Sequence, residues 1–425
     1  MSQRIVVVGA GLVGLSTALA CAQKGRRVVV VERGAPEREG CSFANAGMIV
    51  PSHLVPLASP GVVEQGLRWM RDPESPFYLR PRLSGDLLDW SWKLWRAATR
   101  EHVERAAPVL RDLHLASREC YEQWAAQWDN PFDLVERGMF MLCRTEHGLA
   151  EETAAAALAR RLGVPAEVLT AAEIAEREPG MRMTIAGGVY FPLDGHVTPA
   201  RLMSTLQRET QRLGVELRYG TEVRGWRARD RRIDALETSA GLVEGDEFVL
   251  CGGIWSTGLA RELGLKLPMQ AGKGYSLTLD HPPALPRTCA ILTEARVAIT
   301  PMGTSLRFGG TMEIAGIDES VNPVRIGGIV KAVGAYYPDF KPAHFSTASV
   351  RTGLRPCSPD GLPYIGRFAR FANLSTATGH AMMGVSLAPI TGKLIAEILS
   401  GERPSCAIDA LSPDRYAERA QARAA

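Results

Sequence analysis

The first 32 residues constrain this chain more than any other stretch. An apolar run, Ile5 to Val8, meets Gly9-Ala-Gly11-Leu12-Val13-Gly14. An amphipathic pattern follows (Leu15, Ala18, Leu19, Ala22), closed by Gly25, and a second apolar run, Val28 to Val31, ends at Glu32. That order predicts strand, tight turn, helix and strand, the opening unit of a Rossmann-like nucleotide-binding sheet. Gly9 allows the sharp turn, Gly11 lets backbone approach a pyrophosphate, and Gly14 lets helix and sheet pack closely. The first helical turn offers N–H groups and a positive dipole end to phosphate. Glu32 is placed to accept hydrogen bonds from a ribose diol, and its charge disfavours a 2′-phosphate.

At 425 residues the chain exceeds one simple core and predicts two domains. A net charge of +3 with no dense Lys/Arg block argues against a nucleic-acid partner. The eight cysteines are scattered with no CxxC pair, which predicts reduced thiols and neither a zinc site nor a disulfide framework. Met1 leads straight to Ile5, leaving no room for a signal peptide, and Ile5 to Leu15 is too short and glycine-broken to span a bilayer. The expected location is cytoplasmic, with peripheral contact on the inner face of the membrane as a further option.

Residues 84–128 have a helical pattern, as do 150–162 and 171–177, and Gly187 to Phe191 reads as a strand. A helix with Pro199 in its first turn, capped by Thr198, precedes strand-like pieces at 215–218, 221–225, 233–237 and 247–250. These return the chain to its first sheet. Between 270 and 350 lie alternating pieces (275–279, 297–300, 306–309) and a helix near 323–337; a last helix runs from about Ala388 to Leu399. The prediction is an α/β fold. Its Rossmann-like cofactor domain takes 1–52, 186–268 and 348–425. An α+β substrate domain on a mixed or antiparallel sheet takes 53–185 and 269–347.

NAD and FAD both fit the opening fingerprint. Glycine-rich segments return at Asn45–Gly47, Gly252–Gly253 and Gly379–Gly384, and an extended FAD needs such returns because its flavin lies far from its adenine. A helix N-terminus near Val385 would also put partial positive charge beside the flavin. The expected FAD contacts are Gly9, Gly11, Leu12, Val13, Gly14, Glu32, Arg33, Ser42, Asn45, Ala46, Gly47, Met48, Val223, Gly252, Trp255, Gly379, His380, Met383 and Gly384. Asn45 suits a turn equally well.

Motifs along the whole chain carry a resemblance: Gly9-x-Gly11-x-x-Gly14, Ser42-Phe-Ala-Asn45-Ala46-Gly47-Met48-Ile, Ala58-Ser-Pro60-Gly61, Lys273-Gly-Tyr275-Ser-Leu, Arg307-Phe-Gly-Gly-Thr-Met-Glu, Thr352-Gly-Leu-Arg355-Pro-x-x-Pro-Asp360-Gly, and Gly379-His380. The sequence resembles the D-amino-acid oxidase family of flavoproteins, and within it the bacterial dehydrogenase branch. The resemblance implies oxidation of an amine carbon beside a carboxylate, with hydride passing from Cα of a D-amino acid to FAD. D-Proline and cis-4-hydroxy-D-proline are candidate substrates. It implies that Arg355 holds the substrate carboxylate, a task its planar fork suits. Gly353 stands where monomeric sarcosine oxidases attach FAD through cysteine, and Cys357 is out of register, so FAD is expected to be non-covalent. No catalytic acid or base is expected, since the site mainly orients its substrate.

Tyr275, His53 and His380 are further candidate substrate contacts, although Tyr275 equally suits a core position. A quinone or respiratory carrier is the expected electron acceptor, and a homo-oligomer is an open option. Trp69, Trp90, Trp92 and Trp95 crowd one arginine-rich stretch. They read as helical core or as a membrane-surface contact. A glycine- or sarcosine-type oxidase, a nicotinamide dehydrogenase and a non-catalytic flavin carrier are the alternatives.

Overall fold

In the computed structural model, which describes residues 3–37 and 40–417, two large sheets divide the chain. The first has six strands, in the order Tyr364–Arg367, Leu374–Thr378, Glu247–Leu250, Arg4–Val8, Arg27–Val31 and Glu216–Arg218. Every pairing in it is parallel except the outermost, Tyr364–Arg367 on Leu374–Thr378. Ile5–Val8 and Val28–Val31 are buried residue after residue, as strands covered on both faces must be. This is the predicted Rossmann-like sheet.

The Leu12–Gln23 helix starts where its glycines allow. Gly9 holds φ at +103°, and a Cβ on Gly14 would lie 1.9 Å from the Gly9 carbonyl oxygen. Against this helix packs the Gly384–Leu399 helix, so closely that a Cβ on Gly392 would meet the Ser16 backbone at 2.4 Å. The Arg100–Trp128 helix completes one core, with Leu110, Leu113 and Tyr121 against Leu387 and Leu394. The apolar stretch Ala381–Leu399 is long enough to cross a membrane, yet 78% of it is buried in this core.

The second sheet has nine strands. Eight run in the order Ser349–Cys357, Gln270–Leu279, Ser305–Ile314, Val297–Met302, Cys289–Leu292, Met139–Cys143, Gly187–Phe191 and Glu167–Thr170; Phe77–Leu79 pairs with Ser305–Ile314. It is mixed: two of its pairings are parallel and the rest antiparallel.

Several boundaries differ from expectation. Gly187–Phe191 and Ser349–Cys357 belong to the nine-stranded sheet, although both fall in segments assigned to the cofactor domain. The Arg100–Trp128 helix, assigned to the other domain, packs in the first core. The chain changes sides next to regular elements, where composition does not shift. The helical stretch 84–128 is two helices, Gly85–Ala97 and Arg100–Trp128, the second capped by Thr99. Thr198 stands at the N-cap position as expected, but its side chain makes no capping bond and donates its hydroxyl to Asp133 at 2.7 Å instead. The last helix begins at Gly384 rather than Ala388, because Pro389 sits inside it and not in its first turn.

Candidate functional site

A cavity of about 540 Å³ opens at the carboxyl ends of the parallel strands, the position at which open α/β sheets bind ligands. Val8, Val31, Thr221, Cys251, Ala377 and Thr378, at or just beyond five strand ends, all line it. Gly9, Gly11, Leu12 and Val13 form its glycine-turn wall. Gly11 gives the helix no side-chain cap, and the Leu12 N–H donates to Ser42 Oγ at 3.1 Å. Glu32 is buried; one carboxylate oxygen accepts the Ala10 N–H at 2.8 Å and the other the Gly34 N–H at 2.9 Å. It therefore braces the glycine turn from the wall itself. The Arg33 guanidinium lies 3.9 Å from the centre of the Trp255 ring, and both residues line the same end.

Ser42, Asn45, Val223, Gly252, His380 and Gly384 also line the cavity, as expected of cofactor contacts. Gly14, Ala46, Gly47, Met48, Gly379 and Met383 do not; they stand behind the wall as its frame. Gly47 (φ +79°) passes under the Val197 carbonyl, where a Cβ would come within 2.3 Å, and its N–H donates to Asn45 Oδ1 at 2.8 Å. Asn45 thus shapes its turn and lines the cavity as well. Met48 pairs with His196 in a short two-stranded ladder, and Gly379 (φ +78°) lies against the Tyr364 ring. Thr221, Glu222 and Leu259 line the cavity without having been anticipated, while Val385 lines it where a helix N-terminus was expected. For Thr221 and Cys251 the signal was available, since the residues beyond each parallel strand face the ligand.

At the other end stands the first turn of the Gly384–Leu399 helix. Pro389 has no N–H, so the Val385 carbonyl has no partner within the helix; Tyr121 donates its hydroxyl there at 2.7 Å. Ser117 donates to the Ser386 carbonyl at 2.6 Å, and Ser386 Oγ meets His114 Nδ1 at 2.9 Å and accepts the Val50 N–H at 3.0 Å. His380 is buried, with Nε2 3.0 Å from Thr391 Oγ1, and burial pushes its pKa down to about 4. It is therefore neutral near pH 7.

His53 does not line the cavity. Its Nδ1 lies 3.2 Å from Ser52 Oγ, beside the buried Asp194, which accepts the Ser52 N–H at 3.0 Å and the Ser52 hydroxyl. Burial and the Arg296 charge push the His53 pKa down to about 4, and burial pushes the Asp194 carboxyl up to about 7.

Arg355 is half-buried on the Ser349–Cys357 strand; it does not itself line the cavity, although its chain neighbours Leu354 and Pro356 do. Its guanidinium lies across Gly274 of the neighbouring strand, where a Cβ would fall 2.2 Å from Nη1. Nη1 donates to the Thr311 carbonyl at 2.8 Å. That carbonyl is turned by a β-bulge: Lys273 pairs with Glu313 but Tyr275 with Gly310, and Thr311 takes φ +65°. A β-branched residue adopts that conformation only under constraint. Tyr275 points to the opposite face of the sheet, and its hydroxyl donates to Glu313 at 2.7 Å within a network that includes the buried Lys273. It is a core residue, which corrects its expected role beside the carboxylate.

All eight cysteines are free, and no cluster among the described residues has the makings of a metal site. Residues 4–398 match a family model described as FAD dependent oxidoreductase, DAO. The chain is 32% identical to a D-amino acid dehydrogenase of Granulibacter bethesdensis, over 97% of this chain and 100% of that one. It is 33% identical to a protein of the same name from Methylobacterium radiotolerans, over 97% and 99%. Among solved structures it superposes on glycine oxidase from Geobacillus kaustophilus with a TM-score of 0.77 at 24% identity, covering 97% and 99% of the two chains. L-Proline dehydrogenase from P. horikoshii gives 0.75 at 16%, covering 98% of each. These two structures share the fold.

Proposed function

Because the chain belongs to the DAO family of FAD-dependent oxidoreductases, we propose that it oxidises the amine carbon of a D-amino acid and passes the electrons to an acceptor other than oxygen. The relatives named D-amino acid dehydrogenase, aligned over nearly their full lengths, favour this over an oxidase of glycine or sarcosine. The cavity suits FAD. Gly9, Gly11, Leu12 and Val13 would hold the pyrophosphate, Glu32 the ribose, Arg33, Val223 and Trp255 the adenine end, and His380, Gly384 and Val385 the flavin end. When bound, FAD supplies the hydride acceptor.

The remaining work is orientation. Arg355 would grip the substrate carboxylate with its planar fork, while the hydrogen bond to Thr311 and the floor at Gly274 fix the plane of that fork. The Gly384–Leu399 helix would present its positive end to the flavin. His380 is neutral and bonded to Thr391, and burial raises the Cys41 thiol, so neither serves as a base near neutral pH. The substrate amine would lose its proton to solvent before the reaction. D-Proline and cis-4-hydroxy-D-proline head the candidate substrates, and a membrane quinone is the proposed acceptor.

The observation that carries this reading is Arg355: a half-buried guanidinium beside the cavity, held by one backbone carbonyl and paired with no carboxylate among the described residues. Its test is anaerobic bleaching of the flavin absorption by a D-amino acid, set against the matching amine without the carboxylate. The parent enzyme is expected to prefer the acid strongly. Arg355→Lys should lower both the rate and the affinity, and Arg355→Ala should lose most of the preference while keeping its FAD. Undiminished discrimination by the alanine variant would place the carboxylate elsewhere.

A further inference from the structure

Arg307 lies on the Ser305–Ile314 strand and is only 9% exposed. Lys273, which is more deeply buried, and Arg415, which is somewhat less so, each face carboxylates: Glu313 and Asp318 for the first, Asp360 for the second. Arg307 faces none among the described residues; its partners are neutral. Nε donates to Thr278 Oγ1 at 3.1 Å, and Nη1 donates to the carbonyls of Phe43 at 3.0 Å and Asn45 at 2.9 Å. Phe43 and Asn45 line the cofactor cavity, so the guanidinium stands directly behind its wall. Two residues along, the Cβ position of Gly309 lies 3.3 Å from Ala46 Cβ, so strand and loop touch over several residues. The same loop reaches the glycine turn through Ser42, which accepts the Leu12 N–H. Burial and the nearby Arg351 push the Arg307 pKa down to about 10, which still leaves it charged at neutral pH.

A neutral amide could hold two carbonyls. A guanidinium in that position carries a desolvation cost that neutral carbonyls offset only in part, as they also must for the buried Arg325 on the Ser75 carbonyl, and that a nearby anion would offset further. FAD is that anion: its pyrophosphate is charged, and its flavin gains negative charge on reduction. We propose that Arg307 is a positioning residue for the cofactor. It clamps the 41–47 loop onto the nine-stranded sheet, and its charge, offset by bound FAD rather than by a protein acid, favours the reduced flavin. The inference rests on the cofactor and is independent of which substrate is oxidised.

Two variants of the holoenzyme separate clamp from charge. Arg307→Gln keeps N–H donors and removes the charge; Arg307→Lys keeps the charge and loses the planar fork. FAD affinity is read from flavin fluorescence on dilution, and the flavin midpoint potential by equilibration with a reference dye. Arg307→Gln should weaken FAD binding tenfold or more and lower the potential by about 30 mV, a tenfold change for a two-electron couple. Arg307→Lys should weaken FAD binding but keep the potential within that margin. A parental potential in Arg307→Gln, or an equal drop in both variants, overturns the charge role. Parental FAD affinity in both variants overturns the clamp. Should Arg307→Gln fail to fold, Arg307→Lys still decides both points: parental FAD affinity overturns the clamp, and a drop of 30 mV overturns the charge role.

Discussion

Gly274 works through the side chain it lacks. A methyl group there would occupy the place of the Arg355 guanidinium, so Gly274→Ala should swing the fork away from its carbonyl anchor. The expected result is a KM for the D-amino acid raised about tenfold, the cost of one displaced charge-assisted hydrogen bond, with FAD content unchanged. An unaltered KM would show that the fork does not need that floor. Asp194 answers to pH instead. Its carboxyl is held up at about 7 by burial, against an ordinary 3.8, so the folded state keeps a proton that the unfolded chain releases. Its contribution to stability is therefore full below about pH 4 and is lost as pH rises toward 7. Asp194→Asn should melt higher than the parent at pH 8, by a few °C, with the gap narrowing as pH falls and closing only near pH 4. A gap independent of pH would remove the burial argument. The places of Gly9, Gly11 and Glu32 on the cavity wall were legible in the sequence because local spacing sets them. Tyr275 and Arg355 were harder: their sheet face depends on register with strands about 30 to 80 residues away in sequence, and no local pattern announces the bulge at Thr311.

Pro389 governs the helix that closes the cavity. It leaves the Val385 carbonyl without an intrahelical partner, and Tyr121, from a helix more than 250 residues earlier, supplies the missing hydrogen bond. Tyr121→Phe keeps the ring packing and removes only the hydroxyl. It should cost about 1–3 kcal/mol, the price of a buried unsatisfied carbonyl, seen in denaturant unfolding of the holoenzyme. Because Val385 lines the cavity, FAD should also dissociate faster. Equal stability in variant and parent would mean that the carbonyl finds another donor. The helix was legible from its apolar run; of the two starts read, near Val385 and about Ala388, only the first fits the observed Gly384. A proline usually marks a first turn, and only the distant tyrosine makes this one tolerable inside.

The whole chain weaves between its two sheets, which explains why the fold class was legible while the segment boundaries were not. Both architectures follow from periodicity; the crossings fall beside regular strands such as Ser349–Cys357. On the outer surface, Trp92 and Trp95 stack with ring centres 5.1 Å apart and are 55% and 56% exposed, while Trp90 is buried and donates to the Cys357 carbonyl. Leu83 and Leu88 are exposed nearby, as are Arg96 and Arg100. If this face meets a bilayer that carries the quinone, the protein should sediment with anionic vesicles at low salt and be released as salt is raised. Trp92→Ser with Trp95→Ser should abolish sedimentation; recovery of the parent protein in the supernatant at low salt would count against a membrane role. The weave has one more consequence. The cavity wall draws on residues from Val8 to Val385, so it cannot close before Val385 has emerged from the ribosome. Before Val385 is in place, the nascent polypeptide has no complete seat for FAD, so the cofactor can be enclosed only after both sheets have formed.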